Sequence, residues 1–311
     1  RPEDALMTRR IVLIDGDILS YRVGFACEHK QYYACVDGED MVFDGKAELN
    51  KYVKENECEE VEWESQLKVE PLKFALATAK NMVANIKAAT KADEVEVYVT
   101  GIGNFREKVA TVLKYKGNRD DKRRPLLHSD IIQYLMDYQA AVMINGAEAD
   151  DELADRQLEC AEEGIESVIA SDDKDLRQIP GLHFNIRTED KIRITHETAA
   201  KNKYLQMLIG DSTDNIPGIY GLGPIKAEKV LEGVDPSQYR NAVETAWHDY
   251  FTNGPKLPEW LVKYDPDSTD LFYNGWSGTQ HSSSLQAFVD ELEALITVGV
   301  RNGKADQAHR T

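Results

Sequence analysis

Eight acidic side chains in this 311-residue chain stand where carboxylates can do metal chemistry. Asp15 closes the continuous apolar run Ile11 to Ile14, and Asp173 and Asp175 follow the short apolar run Ser167 to Ala170. Both runs read as buried strands, and in open parallel sheets ligands gather outside the carboxyl ends of the strands. Glu148, Asp150 and Asp151 open a helical pattern, and Asp211 and Asp214, at i and i+3, can reach a shared point. If these acids converge, each pair about 5 Å apart repels by roughly 3 kcal/mol at an effective dielectric near 20, so the cluster needs cations. Hard oxygen ligands with no His or Cys among them select Mg²⁺ or Mn²⁺ over zinc. Two such ions can activate a water and stabilise the leaving oxygen of a phosphodiester. Taken singly, each group has a plainer use: helix N-termini favour acids, and Gly-Asp-Ser stretches form turns. The ensemble carries the argument.

The elements that position these groups alternate helix and strand. Leu72, Leu76, Val83 and Ile86 give Pro71 to Ala89 a helical spacing, and Val95 to Thr100 follows as a second strand. Ser129 to Gln139, Glu148 to Cys160, Thr198 to Ile209 and Ile225 to Leu231 read as further helices, and His183 to Arg187 as a weaker fourth strand. Between residues 28 and 64 the chain turns acidic, with scattered aromatics and Asp37-Gly38 placed as a hairpin turn, which predicts an inserted hairpin plus helix. Beyond Pro236 the pattern fades, and there is neither internal repeat nor low-complexity tract.

Composition narrows the classes. Fifty-five Asp and Glu against 37 Lys and Arg leave a formal charge of −18, so no global field draws the chain onto nucleic acid or an anionic membrane. A polyanion must meet a local basic patch, and Lys114 to Arg124 is the strongest one. The four cysteines form neither a C-x-x-C pair nor a framework, which fits a reducing cytoplasm. No run approaches the ~20 apolar residues of a membrane span, so no membrane partner is expected. Met7-Thr8 reads as a natural start, leaving Arg1 to Leu6 as extraneous residues outside the fold argument.

In chain order, Ile14-Asp15-Gly16, Asn104-Phe105-Arg106, Tyr115-Lys116-Gly117-Asn118-Arg119, Glu148-Ala149-Asp150-Asp151, Ser171-Asp172-Asp173-Lys174-Asp175-Leu176 and Gly210 to Gly218 resemble the flap endonuclease and 5′-nuclease family. That family includes the bacteriophage 5′→3′ exonucleases and the 5′-nuclease domain of bacterial DNA polymerase I. The resemblance covers about residues 11 to 233. It implies an α/β fold with a central, mostly parallel sheet flanked by helices, PIN/5′-nuclease-like, and a helix-hairpin-helix DNA-binding arm. The expected division is an α/β nuclease core at 8–210, with the insertion at 28–64, and the arm plus a C-terminal helical region at 211–311.

The resemblance further implies that Asp15, Glu148, Asp150, Asp151, Asp173, Asp175, Asp211 and Asp214 hold two Mg²⁺ or Mn²⁺ ions, directly or through water. Lys116 and Arg119, at i and i+3 on one side of a helix, would clamp the scissile phosphate. Tyr21 matches the aromatic that stacks on a terminal base, Arg22 lies beside it, and Arg106, Tyr115, Lys122, Arg123 and Arg124 would face DNA. Gly221 and Gly223 would let a phosphate approach the backbone, with Lys226 and Lys229 adding charge and a K⁺ ion held on carbonyls. One family ligand is missing: where an Asp follows the second strand, this sequence has Gly101, and Asp17 is a candidate substitute.

The expected activity is a metal-dependent 5′→3′ exonuclease or flap endonuclease of DNA replication or repair, leaving 5′-phosphates. It would act as a monomer on branched, nicked or 5′-ended DNA, with RNA a further option, in the cytoplasm or the host cytoplasm if phage-encoded. Two alternatives stand beside it. Asp15-Gly16-Asp17 after a strand also suits a haloacid dehalogenase-like phosphatase, and Gly101 suits a nuclease homologue that grips branched DNA without cutting it.

Overall fold

Ile11, Val12, Leu13 and Ile14 expose none of their surface, because the strand they form is covered on both faces and paired on both edges. Burying such side chains contributes about 1.5–3 kcal/mol each, which makes this strand the axis of the sheet. The structure, a computed structural model, describes residues 9–119 and 123–299. From the N-terminal side the elements are β1 (Arg10–Asp15), α1 (Gly16–Ala26), β2 (Glu28–Val36), β3 (Glu39–Phe43), α2 (Lys46–Glu55), β4 (Val61–Val69), α3 (Leu72–Thr90), β5 (Glu94–Asn104), α4 (Arg106–Val109) and α5 (His128–Gln139). There follow β6 (Val142–Gly146), α6 (Ala149–Glu162), β7 (Glu166–Ala170), β8 (Gly181–Phe184), β9 (Lys191–Ile194), α7 (His196–Ile209) and α8 (Pro224–Val230). The last are α9 (Tyr239–Asn253), β10 (Leu261–Asp265), β11 (Asp270–Asn274), β12 (Gln280–Ser284) and α10 (Leu285–Ile296).

The described chain divides into two compact units. The first takes the described residues of Arg1–Asp15, Ile86–Lys122 and Val142–Thr311. Its six-stranded sheet has the order β6-β5-β1-β7-β8-β9, parallel except for β9. The chain order therefore runs outward from β1 to β5 and β6 on one side, then from β7 to β8 and β9 on the other. Reversal of winding between β1 and β7 opens a crevice beyond their carboxyl ends, where ligands settle in such sheets. Leu153, Ala154 and Cys160 of α6 pack on Ile11, Leu13 and Ile169 of the sheet. A second core gathers Met207 and Leu208 of α7, Trp247 and Phe251 of α9, Leu271 of β11 and Phe288 and Leu292 of α10. The C-terminal region is thus not helical throughout, since β10, β11 and β12 form an antiparallel sheet within it.

The second unit spans Gly16–Asn85 and Arg123–Ala141. Asp37 and Gly38, both at positive φ, make the two-residue turn between β2 and β3 that their dipeptide predicts. The insertion also holds β4, paired antiparallel to β2, in addition to the expected hairpin and helix. Gly24 of α1 faces Pro125 so closely that a Cβ would come within 2.5 Å of the proline Cβ.

His183, on β8, is 8% exposed and shares a hydrogen bond of 2.8 Å with the Ile179 carbonyl. Burial, with a smaller push from Arg177, holds its pKa below the ordinary value. The folded state therefore binds fewer protons than the unfolded chain below about pH 6.5, so the stability this group provides is complete above that pH and is lost as pH falls toward the folded value. Thermal midpoints measured from pH 7.5 to 5 should fall more steeply for the parent than for His183→Gln, and equal slopes would contradict the assignment.

Candidate active site

Asp15 is the last residue of β1 and is 2% exposed. Its Oδ2 accepts from Ser171 Oγ at 2.7 Å, and the same hydroxyl accepts from the Asp173 backbone N–H at 3.0 Å. One serine thus couples the ends of β1 and the β7 loop across the crevice. Asp175 opens a 3₁₀ turn (Asp175–Gln178) and donates its N–H to Asp173 Oδ1 at 2.9 Å. From the other side of the sheet, β6 leads into Glu148, the N-cap of α6, with Asp150 and Asp151 in the first turn, where the helix dipole favours negative charge.

Electrostatics show which acids face one another. Asp150 is pushed well above its ordinary pKa, first by burial and then by Asp15, Asp173, Glu148 and Asp151. Burial also raises Asp173, with Asp214 and Asp211 adding to the rise while the Asp175 N–H and Lys174 oppose it. Asp175 is pushed up to about 7 by burial, Asp173 and Asp211. Asp211 moves the other way: burial would raise it, but Lys174 Nζ at 2.8 Å and the N–H groups of Thr213 and Asp214 outweigh that and lower it. Asp15, Asp150, Asp173, Asp175, Asp211 and Asp214 therefore share one field at the carboxyl edge of the sheet. Among the described residues, no three His, Cys, Asp or Glu side chains are close enough to ligate one ion as they stand. Lysines and arginines stand among these acids instead.

Two of those cations, Lys116 and Arg119, come from the segment that follows α4. Lys116 pairs with Glu148, and Arg119 with Asp214, while Lys116 Nζ lies 3.9 Å from Asp214 Oδ2. The two stand on a turn, not on the helix that their spacing suggested. Lys116 has φ +55°, and Arg119 N–H donates to the Lys116 carbonyl at 3.0 Å. A non-glycine residue in the left-handed region is costly and recurs at functional sites. Here the turn is pinned to the Asp211 loop: Lys116 N–H donates to the Asp214 carbonyl at 2.8 Å and Asn215 Nδ2 to the Lys114 carbonyl at 2.9 Å. That loop is closed by two glycines. A Cβ on Gly210 would come within 2.5 Å of the Gly218 nitrogen, and one on Gly218 within 2.7 Å of the Gly210 nitrogen.

No family model matches the chain. A 5′-3′ exonuclease of Mycoplasma genitalium is 24% identical over 277 residues, which cover 82% of this chain and 79% of that protein. Flap endonuclease Xni of Shewanella piezotolerans is 34% identical over 115 residues, 33% of this chain and 44% of the relative. A DNA polymerase I of Rhizobium leguminosarum is 38% identical over 96 residues, 28% of this chain and 9% of the polymerase. A solved T5 5′-exonuclease variant shares the fold at a TM-score of 0.50, with 14% identity, covering 93% of this chain and 87% of the other. In sequence the chain is thus similar to 5′-nucleases, and in fold to a solved 5′-exonuclease. It spans less than half the length of the polymerase and flap endonuclease relatives named here.

Several expectations change once the side chains are placed. Asp151, expected as a ligand, is 1% exposed and accepts from Arg106 twice, at 2.8 and 2.7 Å, and from the N–H groups of Glu148 and Gly299 at 3.0 Å each. Its oxygens are committed to holding the start of α6. Arg106, expected at the DNA, is 3% exposed and also donates to the carbonyls of Leu295 and Thr297, so it has no surface to offer a duplex. Burial would weaken its charge, but Asp151 more than restores it. Tyr115, likewise expected at DNA, is buried and donates at 3.0 Å to Glu148 and 2.8 Å to Asp214, a brace between two elements of the site. Burial and the two neighbouring carboxylates keep its phenol protonated.

Gly101 is not a vacancy that an Asp could fill. It lies where β5 slips register against β6, and a Cβ there would meet the Ile144 carbonyl at 2.9 Å and crowd Asn145. Asp17 lies in the second unit, in the first turn of α1. Tyr21 of that unit is half-buried with its ring 4.7 Å from His128, Arg22 is half-buried, Arg123 pairs with Glu28, and Arg124 is exposed. Lys122 lies outside the described residues. Gly221 has φ +75°, Gly223 caps α8, and Lys226 and Lys229 are exposed. Sequence reasoning missed Glu291 of α10, which accepts from the N–H groups of Thr111 and Val112 at 2.7 and 3.0 Å and so anchors the strand of chain leading to Lys116. Nothing in a lone acid on an amphipathic helix signals such a distant partner.

Removing one member of a buried pair strands the other. Arg106→Leu should therefore lower the unfolding free energy in urea by about 3–5 kcal/mol, with part recovered in Arg106→Leu/Asp151→Leu. Gly101→Asp should lower the thermal midpoint without raising Mn²⁺ affinity by titration, and a gain in affinity would restore the missing-ligand reading.

Proposed function

We propose that this chain is a divalent-metal-dependent 5′-nuclease, a phosphodiesterase acting 5′→3′ and at flaps on branched, nicked or 5′-ended DNA in replication or repair. The observation that carries the reading is the field shared by Asp15, Asp150, Asp173, Asp175, Asp211 and Asp214, with Lys116 and Arg119 beside it. The donor set is all oxygen, and burial together with neighbouring carboxylates raises the proton affinity of Asp150, Asp173 and Asp175, a penalty on their charged forms that a hard divalent cation would relieve. In donor chemistry the set suits Mg²⁺ or Mn²⁺, and those six carboxylates with Glu148 would hold two such ions, directly or through water, once they draw closer than they stand here. When bound, such ions supply Lewis acidity toward a water and toward the departing 3′ oxygen.

The chain's own residues supply the rest. Lys116 and Arg119 offer N–H donors to the scissile phosphate in exchange for Glu148 and Asp214, their partners in the protein. Tyr115 fixes the turn that carries them, and Ser171 holds Asp15 and the Asp173 loop in register. Gly221 and Gly223 admit the duplex backbone, with Lys226 and Lys229 as added charge and Tyr21 as the stacking ring. Gly221's carbonyl already accepts from Lys226 Nζ at 3.0 Å, so the side chain supplies there the charge that a K⁺ ion would bring. No helix among the described residues is long and apolar enough to cross a membrane. The reading takes the protein as a cytoplasmic monomer, and the similarity to 5′-3′ exonuclease and flap endonuclease relatives supports it over the phosphatase alternative.

Incubation with 5′-flap, nicked and blunt duplexes in Mg²⁺ should release products bearing 5′-phosphates, with none in EDTA. Lys116→Ala and Arg119→Ala should each lower kcat about a hundredfold, and Asp173→Asn at least as much. Absence of cleavage by pure protein, or equal cleavage by Asp173→Asn, contradicts the proposal. Flap binding without turnover in Mn²⁺ would favour the non-cutting alternative, and RNA flaps in the same assay settle the choice of nucleic acid.

A further inference from the structure

One amide of α7 touches two carboxylates of the site. Gln206 Nε2 donates to Asp175 Oδ1 at 2.9 Å and to Asp211 Oδ2 at 3.2 Å. These acids come from separate segments, the 3₁₀ turn after β7 and the loop after α7. The orientation of the amide follows from its neighbours. The Ile296 carbonyl can only accept, so it takes Gln178 Nε2 at 3.0 Å, and that nitrogen also donates to Gln206 Oε1 at 2.8 Å. Gln206 is therefore left with its NH₂ toward the carboxylates. Gln178 is 9% exposed, so water offers little competition for this relay.

We propose that Gln206 is a positioning residue that sets the separation of Asp175 and Asp211 and thereby tunes the affinity of the ion they share. The inference rests on the metal-dependent reading above. A neutral donor suits this task better than a lysine: it satisfies one oxygen of each acid without adding charge, so it does not compete with a cation. It also differs from Lys174, which pairs with Asp211 Oδ2 at 2.8 Å and must yield charge balance to an incoming ion. Partners that orient ligating groups in this way change metal affinity about 10- to 100-fold when removed.

Asn202 provides the comparison. It lies on the same helix and donates to the Arg177 carbonyl at 2.9 Å, so it ties α7 to the same 3₁₀ turn without touching a carboxylate. Mn²⁺ binding to the full chain, without DNA, is read by the loss of the free-ion electron paramagnetic resonance signal, with thermal midpoints in EDTA as the check on folding. Gln206→Met should weaken one class of Mn²⁺ site about 10- to 100-fold, and Asn202→Ala should stay within about twofold of the parent. If Gln206→Met fails to fold, Gln178→Met, which keeps Gln206 but removes the donor that orients it along with the bond to the Ile296 carbonyl, should show a smaller loss at the same site. Equal Mn²⁺ shifts in Gln206→Met and Asn202→Ala, or parent-like binding by Gln206→Met and Gln178→Met, overturn the inference and leave the nuclease reading intact. A parent protein that binds no Mn²⁺ overturns both.

Discussion

Like charge brought to one place is the constraint that organises this protein. Two carboxylates about 5 Å apart cost roughly 3 kcal/mol at an effective dielectric near 20, and a half-buried site raises that cost. Asp150, set among Asp15, Asp173, Glu148 and Asp151, bears it most directly. Each surrounding feature offsets part of the repulsion. The amino end of α6 receives Glu148, Asp150 and Asp151, Ser171 donates to Asp15, and Lys116, Arg119 and Lys174 stand against Glu148, Asp214 and Asp211. Winding outward from β1 and β7 supplies the crevice in which such charge is useful.

Acids in a motif divide between reaction and scaffold, and only neighbours decide which. Asp150 and Asp151 are adjacent, yet the first faces other carboxylates while the second is saturated by Arg106 and two N–H groups. Arg106 in turn reaches the carbonyls of Leu295 and Thr297, and Glu291 holds Thr111 and Val112. The end of α10 is thus wired into both the start of α6 and the approach to Lys116. Such ties make the C-terminal region part of the site's framework, although it bears no recognised motif of its own.

The parallel sheet was legible because its central strands are buried on both faces and so read as unbroken apolar runs: Ile11 to Ile14 and Ser167 to Ala170 sit within β1 and β7. The carboxylates were legible because they end those strands or begin α6. Less was visible where partners are remote. β6 is a short edge strand with an exposed side and no regular period, while β4 alternates Val61, Trp63, Leu67 and Val69 with polar residues, a period set in an acidic and mostly exposed stretch. β8 begins at Gly181, ahead of the run read from His183, since its register is set by β7. The buried roles of Arg106 and Tyr115 were also hidden, because a basic or aromatic residue in a nuclease motif looks the same whether it meets a phosphate or an internal acid.

The crossing of Gly210 and Gly218 carries a consequence for how this loop can diverge. Each backbone occupies the volume a methyl group on the other would need, so both positions are closed to every other amino acid unless the crossing itself is undone. Variation is confined to the arc between them, where Ser212 and Thr213 face solvent while Asp211 and Asp214 do not. The loop behaves as a knot of fixed girth whose outer stitches are free, and drift in sequence can recolour its rim without altering the spacing of its acids.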